Sequence, residues 1–270
     1  MGISLERCIK YLRFIRLDLI KRMDKKSQKE LAALKGRHRG DRCFVIGNGP
    51  SLTKEDVENL QGEITFACNK IFTLGENCVP TYYFMHDPVL LPENFAEAKK
   101  LQTTKFWGMH KNTERFLRKA DVREDYVYYI RKNPLKKEIA VSEDVSRYVT
   151  SSGSVAYAML QFAFYMGFEE IYLLGFDHNF SKIEVNGKEI VNENVTDHFV
   201  SYNDVVTGAV NVDKLTRGFM EAKQYADTHG VRIFNATRGG KLDVFERVNL
   251  DEILLRIHQD RCVTKGVESK

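Results

Sequence analysis

One stretch, residues 43–52, limits the folds that are open to this chain. Residues 43–46 form a short apolar run, which is typical of a buried parallel strand. The run leads into Gly47-Asn48-Gly49-Pro50-Ser51, a turn that bulky side chains could not follow, and a helix is predicted from about Thr53. Glycine amides and the positive end of that helix would face the same point, which predicts a phosphate site. The same turn is also compatible with a tight strand–helix connection that binds no ligand.

The rest of the chain alternates short apolar runs with helical or loop segments. Strands are predicted at residues 64–68, 82–85, 105–109, 126–130, 171–175 and 231–235, and helices at 54–60, 151–167, 212–229 and 250–257. This order predicts an α/β, Rossmann-like domain over residues 41–260, with a mainly parallel sheet and helices on both faces. Residues 178–212 are polar and lack periodicity, so they predict a lid loop, and residues 261–270 predict a frayed tail.

The helix predicted at 151–167 has a distinctive composition. It is apolar almost all round, which predicts a central and buried position. Its start, Ser151-Ser152-Gly153-Ser154, is suited to cap the helix and is equally suited to bind an anion. The sequence alone leaves both roles open.

Basic residues are concentrated at the N-terminus. The first 42 residues carry 13 Lys and Arg against 5 Asp and Glu, whereas acidic residues are in excess over the remaining chain. Apolar residues recur at helical spacing over 5–23, so residues 1–40 predict a basic amphipathic arm, with a polar linker at 35–42. The arm would pack on its own domain, pack on a second subunit in a homo-oligomer, or lie on an anionic membrane surface. Because the body is not basic, we expect no nucleic-acid partner.

The expected cellular location follows from what the sequence lacks. No apolar run is long enough to span a membrane, and the N-terminus lacks the apolar region of a signal peptide. The cysteines form no CxxC pair, and Cys43 and Cys68 fall in predicted strands, which predicts reduced core residues. We therefore expect a cytoplasmic protein, which would contact the inner face of the membrane if the arm binds lipid.

Polar side chains follow several predicted strands at the point where each strand ends. They are Asn48, Gly49 and Ser51, then Asn69, His86, Asp87, Asp177 and His178, and finally Asn235, Thr237 and Arg238. Because the carboxyl ends of parallel strands meet at one edge of a sheet, we expect these residues to converge on one cleft. Each also has a structural explanation; Asp87, for example, would cap a turn before Pro88.

Several motifs of nucleotide enzymes are absent from the sequence. The chain has no GxxxxGK[ST], no full GxGxxG with a later ribose-binding acid, no GxSxG and no Asp-x-Asp metal box. No cluster of His and Cys has zinc spacing. The sequence therefore predicts a phosphate site without a metal and without a bound cofactor.

Four motifs resemble two related protein families. The motifs are residues 45–52 (VIGNGPSL), 67–69 (ACN), 150–153 (TSSG) and 166–177 (MGFEEIYLLGFD), within a resemblance that covers roughly residues 42–245. One family is the bacterial lipooligosaccharide sialyltransferases, which use CMP-sialic acid on a Rossmann-like sheet. The other is the MptE-like family, named for an archaeal 6-hydroxymethyl-dihydropterin diphosphokinase.

The sialyltransferase resemblance implies roles for individual residues. The nucleotide would be bound by Gly47, Asn48, Gly49, Ser51, Asn69, Ser152, Gly153 and Asp177. Asp87 stands where that family has an asparagine before proline. Departing CMP carries its own phosphate charge, so the resemblance implies no catalytic metal.

The lid departs from the family pattern where the catalytic base is expected. The family's base is a histidine within a His-Tyr-x-Gly-His pattern; here His198 matches the first histidine and Tyr202 stands at the base position. Asn179 replaces the family's phosphate-contacting tyrosine. The candidate catalytic residues are His198, Asp87 and Tyr202, and His198 is the best candidate base because imidazole titrates near neutral pH. The alternative is a lid histidine that only orders the loop.

Three functions are consistent with the sequence. The first is a metal-independent glycosyltransferase that moves a sugar from a nucleotide donor, a CMP-sugar, to a cell-surface glycan acceptor. The second is a pterin-type diphosphokinase, which would need ATP and Mg²⁺ on clustered carboxylates. The third is a non-catalytic glycan-assembly protein, which Tyr202 and Asn179 indicate.

Overall fold

A parallel sheet of nine strands lies at the centre of the described chain. The computed structural model describes residues 25–131, 139–199 and 208–268, with side chains as far as 259. The strands are β1 Arg42–Ile46, β2 Ile64–Cys68, β3 Tyr82–Met85, β4 Thr104–Met109, β5 Tyr126–Arg131, β6 Val149–Thr150, β7 Glu170–Leu174, β8 Lys182–Val185, β9 Lys188–Val191, β10 Arg232–Asn235 and β11 Glu246–Arg247. All except β8 and β9 belong to the sheet, and every pair within it is parallel.

Helices cover both faces of this sheet. They are α1 Lys25–Ala32, α2 Lys54–Glu58, α3 Leu90–Lys100, α4 Glu114–Leu117, α5 Val155–Met166, α6 Val212–His229 and α7 Leu250–Glu268. Alternate residues of β1 enter two separate cores: Cys43 and Val45 pack with α1, α5 and α6, whereas Phe44 and Ile46 pack with α2, α3 and α7. The predicted Rossmann-like α/β fold is therefore confirmed. No described helix combines the length and the hydropathy needed to cross a bilayer.

The strand order places β1 at a change of direction. The order is β11-β10-β7-β1-β2-β3-β4-β5-β6, so the chain moves outward from β1 to β6 and then returns to β7 on the other side of β1. In open parallel sheets, ligands bind outside the carboxyl ends of the strands at such a point. The fold therefore indicates that a ligand site, if present, lies at the loops that follow β1 and β7.

The helix predicted at 151–167 is confirmed as α5, with all but one of its residues buried. Ser154 caps its start by accepting a hydrogen bond from the Ala156 amide at 3.1 Å. At its other end, Gly167 has a left-handed backbone with φ of 90°. The helix passes under the sheet behind β1, β2 and β3, and its first turn faces the carboxyl ends of these strands.

The linker predicted at 35–42 joins α1 to β1 through mostly exposed turns, and the chain at this point also contacts the domain. Leu34 is fully buried in the core beside α5. The amides of Gly36 and His38 donate to carbonyls at the C-terminal end of α5 at 3.0 and 2.8 Å, and the His38 ring stacks on Phe168 at 4.6 Å. The polar sequence of this segment did not predict these contacts, because hydrogen bonds made by the backbone do not produce a pattern of side-chain hydropathy. The predicted helix over 5–23 lies outside the described residues.

Regular structure is present in two segments that the sequence predicted to be irregular. Within residues 178–212, β8 and β9 form an antiparallel hairpin whose turn is Asn186-Gly187, both with positive φ. The hairpin strands are mostly exposed, so no buried face imposed an alternating apolar pattern. At the C-terminus, α7 continues to Glu268, past the predicted end at 257 and through most of the predicted frayed tail.

Replacing Leu34 tests whether the segment before β1 is part of the core. We expect Leu34→Ala to lower the free energy of unfolding by about 2–5 kcal/mol, the usual cost of a cavity at a buried leucine. Lys29→Ala, an exposed position on α1, should change it by less than about 0.5 kcal/mol. Urea unfolding followed by circular dichroism measures both. Equal stabilities for the two variants would contradict the packing described here.

Candidate functional site

A pocket of about 130 Å³ opens outside the carboxyl ends of β1, β2 and β7. Its walls are the turn after β1, the first turn of α5, and residues 175–180 after β7. The predicted site residues that line it are Gly47, Asn48, Gly49, Asn69, Asp177 and His198. The structure thus brings together side chains from separate strand ends, as the position of β1 in the sheet requires.

Three predicted nucleotide-binding residues do not line this pocket. Ser51 is bonded to Asp177 at its edge. Ser152 is buried against α6. It contacts that helix at Gly218, where the lack of a side chain leaves room for the serine. Gly153 is exposed and has a φ of 106°, a backbone conformation that favours glycine. Both residues therefore have a structural explanation, in helix packing and in the turn before α5.

The predicted catalytic residues are also separated. Asp87 does not line the pocket: its carboxylate accepts hydrogen bonds from the amides of Val89 and Leu90 at 2.8 and 2.9 Å, at the start of α3. This is the turn-capping alternative noted from Pro88. Tyr202 lies outside the described residues. Of the three, His198 alone is placed in the pocket among the residues that the structure describes.

The prediction that every strand end converges on one cleft is wrong for β3 and β10. Asn235 holds the loop after β10, donating to the Leu242 carbonyl at 2.8 Å and accepting from the Thr237 amide at 3.0 Å. Arg238 is paired with Asp56 and Asp251 at 2.9 and 2.8 Å. These bonds join α2 and α7 to the sheet, so the residues stabilise the fold outside the pocket. His86 instead bonds to the Tyr128 hydroxyl at 2.8 Å.

Three amides of the glycine turn, where the sequence predicts a phosphate seat, donate hydrogen bonds within the chain. Gly47 donates to the Leu174 carbonyl at 2.7 Å, and Gly49 donates to the Gly175 carbonyl at 2.9 Å. The Ser51 amide donates to the Asp177 carboxylate at 3.2 Å, and its hydroxyl donates to the same carboxylate at 2.8 Å. An internal carboxylate thus lies beside the turn to which the sequence assigned a phosphate. The helix α2 is likewise capped from within the chain, by Thr53.

A different helix presents its positive end to the pocket. Ser154, Val155 and Ala156, at the start of the twelve-residue helix α5, all line it. Aligned peptide dipoles give a helix N-terminus a partial positive charge that favours anions. The first turn of α5 therefore faces the pocket with the end of the helix that favours anions, and the anion role predicted for residues 151–154 stays a prediction.

Two asparagines in the pocket have incomplete hydrogen bonding. The Asn48 side-chain amide donates to the Cys68 carbonyl at 3.2 Å, which orients its Oδ1. Among the described residues, Oδ1 of Asn48 and Oδ1 of Asn69 are both buried without a hydrogen-bond partner. Asn69 also has a φ of 50°, which is uncommon for a residue other than glycine. A buried acceptor without a donor is costly, so both positions are suited to a ligand that carries N–H or O–H groups.

His198 lies against the turn after β1. Its ring hydrogen-bonds the backbone of Asn48, and the next amide, of Phe199, donates to the Asn48 carbonyl at 3.0 Å. Burial lowers the pKa of His198 below its usual 6.5, and nearby Lys70 lowers it further, against the opposite effect of Asp197 and of the bond to Asn48. His198 is therefore neutral near pH 7, the form that accepts a proton.

Several pocket residues were not among the predicted site residues. They are Cys68, Ser154, Val155, Ala156, Gly175, Phe176, His178, Asn179, Phe180, Asp197, Leu215 and Phe219. His178 was recognised as a strand-end residue but not assigned to the site; its Nε2 lies 2.8 Å from the Thr216 hydroxyl. Asp197 accepts hydrogen bonds from the amide and the hydroxyl of Ser181. In the sequence, His178 could have been identified as a site residue from its position at the end of a strand. Asp197 had no identifying feature in the sequence except its position next to His198.

A family model described as 6-hydroxymethylpterin diphosphokinase MptE-like matches residues 17–182. The match spans more than half of the chain. The chain belongs to the MptE-like family, as its motifs indicated. No curated protein matches the chain.

Two solved structures of glycosyltransferases are similar to this one. The MAf glycosyltransferase from Magnetospirillum magneticum AMB-1 has 15% sequence identity and a TM-score of 0.49; the alignment covers 83% of this chain and 38% of that protein. The sialyltransferase CstII from Campylobacter jejuni, solved with a substrate analogue, cytidine-5'-monophosphate, has 15% identity and a TM-score of 0.42. That alignment covers 76% of this chain and 84% of the sialyltransferase.

Substituting Gly49 tests the contact between the turns that follow β1 and β7. A methyl group at Gly49 would lie 2.6 Å from the Gly175 carbonyl oxygen and would overlap the Asp177 carboxylate. We expect Gly49→Ala to lower the free energy of unfolding by about 1–3 kcal/mol, the usual cost of overpacking. Gly208→Ala is the matched control, because a methyl group there meets nothing within 4 Å. Thermal unfolding of the two variants should separate them, and identical midpoints would refute the contact.

Proposed function

We propose that this protein is a metal-independent glycosyltransferase that moves a sugar from a nucleotide donor, a CMP-sugar, to a cell-surface glycan. The observation that carries the proposal is the pair of buried, unpaired acceptors, Oδ1 of Asn48 and Oδ1 of Asn69. A nucleoside supplies the matching donors, through its ribose hydroxyls and the amino group of cytosine. The donor would bind outside β1 and β2, where Rossmann-like sheets bind nucleotides.

The phosphate of the donor would lie at the start of α5. The amides of the glycine turn are bonded to β7 and to the segment that follows it, so α5 supplies the positive partial charge instead. The Ala156 amide donates to Ser154, so a departing phosphate beside the first turn of α5 would be stabilised by the partial charge of the helix end, at the point where electrostatic stabilisation accelerates sugar transfer. Asp177, Ser51 and Gly49 would maintain the shape of the pocket without contacting the phosphate.

The chemical step needs one base. In neutral His198, one ring nitrogen carries a lone pair, and this nitrogen would take the proton of the acceptor hydroxyl. The hydroxyl oxygen would then form a bond to the anomeric carbon of the donor sugar. The bond between that carbon and the phosphate oxygen would break, and CMP would leave with the electron pair. The bond between His198 and the backbone of Asn48 would hold the ring beside the donor.

A pterin-type diphosphokinase is the second candidate, because the matching family model is described by that activity. A pterin also carries N–H groups that would satisfy Asn48 and Asn69. This activity requires Mg²⁺ with ATP, and the described residues do not fit such a site: they contain no group of three or more His, Cys, Asp or Glu placed to hold a metal ion. The two carboxylates of the pocket, Asp177 and Asp197, are each held by a serine.

Nucleotide binding distinguishes the candidates. Thermal unfolding is measured with CMP, UDP, GDP and ATP, with and without Mg²⁺, and we expect CMP to raise the midpoint without the metal. Ligand at 100 times its Kd would stabilise the protein by about 2.7 kcal/mol. Stabilisation by ATP only with Mg²⁺ would favour the diphosphokinase. No response to any nucleotide would favour the non-catalytic glycan-assembly protein.

Asn69→Gly tests the role of the unpaired amide with little backbone strain, since glycine tolerates the positive φ. We expect this variant to weaken CMP binding about tenfold, corresponding to about 1.4 kcal/mol for lost hydrogen bonding. Asn186→Gly is the matched control, because Asn186 has a similar φ of 52° in the exposed β8–β9 turn. Calorimetric titration with CMP measures both, and equal affinities would remove Asn69 from the nucleotide site.

His198→Gln tests the base. We expect kcat for sugar transfer to fall by about 10²- to 10⁴-fold, while CMP binding persists. In the unsubstituted protein, kcat/KM should rise with pH below 6.5 as His198 loses its proton, and then level off, because its pKa lies below that value. His258→Gln, an exposed position on α7, is the control. Full turnover by the His198 variant would assign this histidine to ordering the lid.

A further inference from the structure

A second cavity, of about 720 Å³, runs along the outer side of α6. One wall is formed by α6, through residues that include Thr216, Met220 and Gln224, and the other by residues 241–244. Its volume is within the range of about 300–1,000 Å³ that is usual for small-molecule sites. We refer to this cavity as the α6 groove.

The lining of the α6 groove combines apolar surface with charges of both signs. Met220 is 57% exposed although it is a large apolar residue, and Val244 lies on the opposite wall. Lys241, Asp243 and Glu221 also line the groove. Sugars present apolar C–H faces together with hydroxyl groups that donate and accept hydrogen bonds, so this lining suits a carbohydrate better than a purely ionic or purely apolar ligand.

His178 connects the α6 groove to the pocket, because it lines both. Its backbone has a φ of 51°, in the left-handed region that residues other than glycine seldom adopt. The ring makes edge contacts with Phe180 and Phe219, with centroids 5.6 and 5.8 Å away. The surrounding structure therefore holds His178 in a conformation that would not be expected from local preference alone.

Thr216 determines which nitrogen of His178 carries the proton. The Thr216 hydroxyl donates to the Val212 carbonyl at 2.9 Å. Since a hydroxyl has one proton, its oxygen is left to accept from Nε2–H of His178, 2.8 Å away. Nδ1 then carries the lone pair in the neutral ring and has no protein partner among the described residues. Burial lowers the pKa of His178, which favours this neutral form.

We propose that the α6 groove binds the glycan acceptor and that His178 positions its reacting hydroxyl by accepting a hydrogen bond at Nδ1. The inference rests on the proposed glycosyltransferase function, since it places the acceptor in the cavity that shares His178 with the pocket. His178 is a positioning residue in this arrangement, and the proton is finally taken by His198. The groove and the pocket are separate cavities that share His178 as a lining residue, so this side chain can contact ligands in both.

A binding measurement tests the groove independently of catalysis. The methionine methyl groups of the full chain are labelled with carbon-13, and Met220→Leu assigns the Met220 signal. Lactose, N-acetyllactosamine and chitobiose are then added separately at millimolar concentration. We expect at least one of them to shift the Met220 signal and to leave the buried Met159 and Met166 signals unchanged. No shift at Met220 with any of the three sugars overturns the proposal.

A kinetic measurement tests the role in transfer. With CMP-sialic acid as donor and the sugar that binds as acceptor, we expect Met220→Trp to lower the ratio of transfer to donor hydrolysis about tenfold. Leu255→Trp is the matched control, since Leu255 is a similarly exposed apolar residue at 62%, on α7 and outside the groove. Equal ratios for the two variants would overturn the proposal while leaving the glycosyltransferase function intact.

His178→Asn tests the positioning role, because asparagine tolerates a positive φ. We expect the acceptor KM to rise about tenfold with a smaller change in kcat. A loss of kcat alone would overturn the positioning role. If the unsubstituted protein binds no nucleotide and transfers no sugar, the proposed function fails and the acceptor role fails with it; the Met220 signal still reports whether the groove binds sugar.

Discussion

The rest of the site depends on the close contact between the turns that follow β1 and β7. Gly49 has no side chain, so its backbone reaches the Gly175 carbonyl and the Asp177 carboxylate. The bonds of Ser51 to Asp177 join segments that are 126 residues apart in sequence. The contact uses the amides of Gly47, Gly49 and Ser51, so the groups that the pocket presents include side chains of neighbouring strand ends and the start of α5.

The pocket beside this contact is small. A volume of about 130 Å³ is below the range of about 300–1,000 Å³ that is usual for sites that enclose a small molecule. One wall is held by the amide of Phe199 and the ring of His198, both of which bond to the backbone of Asn48. The volume of the pocket is therefore enough for only a part of a nucleotide sugar. A whole nucleotide sugar would bind there only if this wall shifted.

The two histidines of the pocket, His178 and His198, have a lowered pKa and a hydrogen-bonded ring in common. Burial lowers the pKa of both His178 and His198, so each is neutral near pH 7. Each ring also has one identified partner, the hydroxyl of Thr216 for His178 and the backbone of Asn48 for His198. A neutral imidazole can accept a hydrogen bond or a proton from a hydroxyl group. Both rings line the same pocket.

The sequence by itself determined seven of the nine strands of the sheet, but not the two-residue strands β6 and β11. It also determined the buried helix α5, the bounds of α6 at residues 212 and 229, and the strand-end positions of Asn48 and Asn69. Apolar runs and helical periodicity are local properties, so they are readable without a structure. Only the tertiary structure decided that Asp177 accepts the hydrogen bonds of Ser51 beside the glycine turn and that Asp87 holds the turn before α3, outside the pocket. Such choices depend on which distant segments come into contact, and no local pattern records that contact.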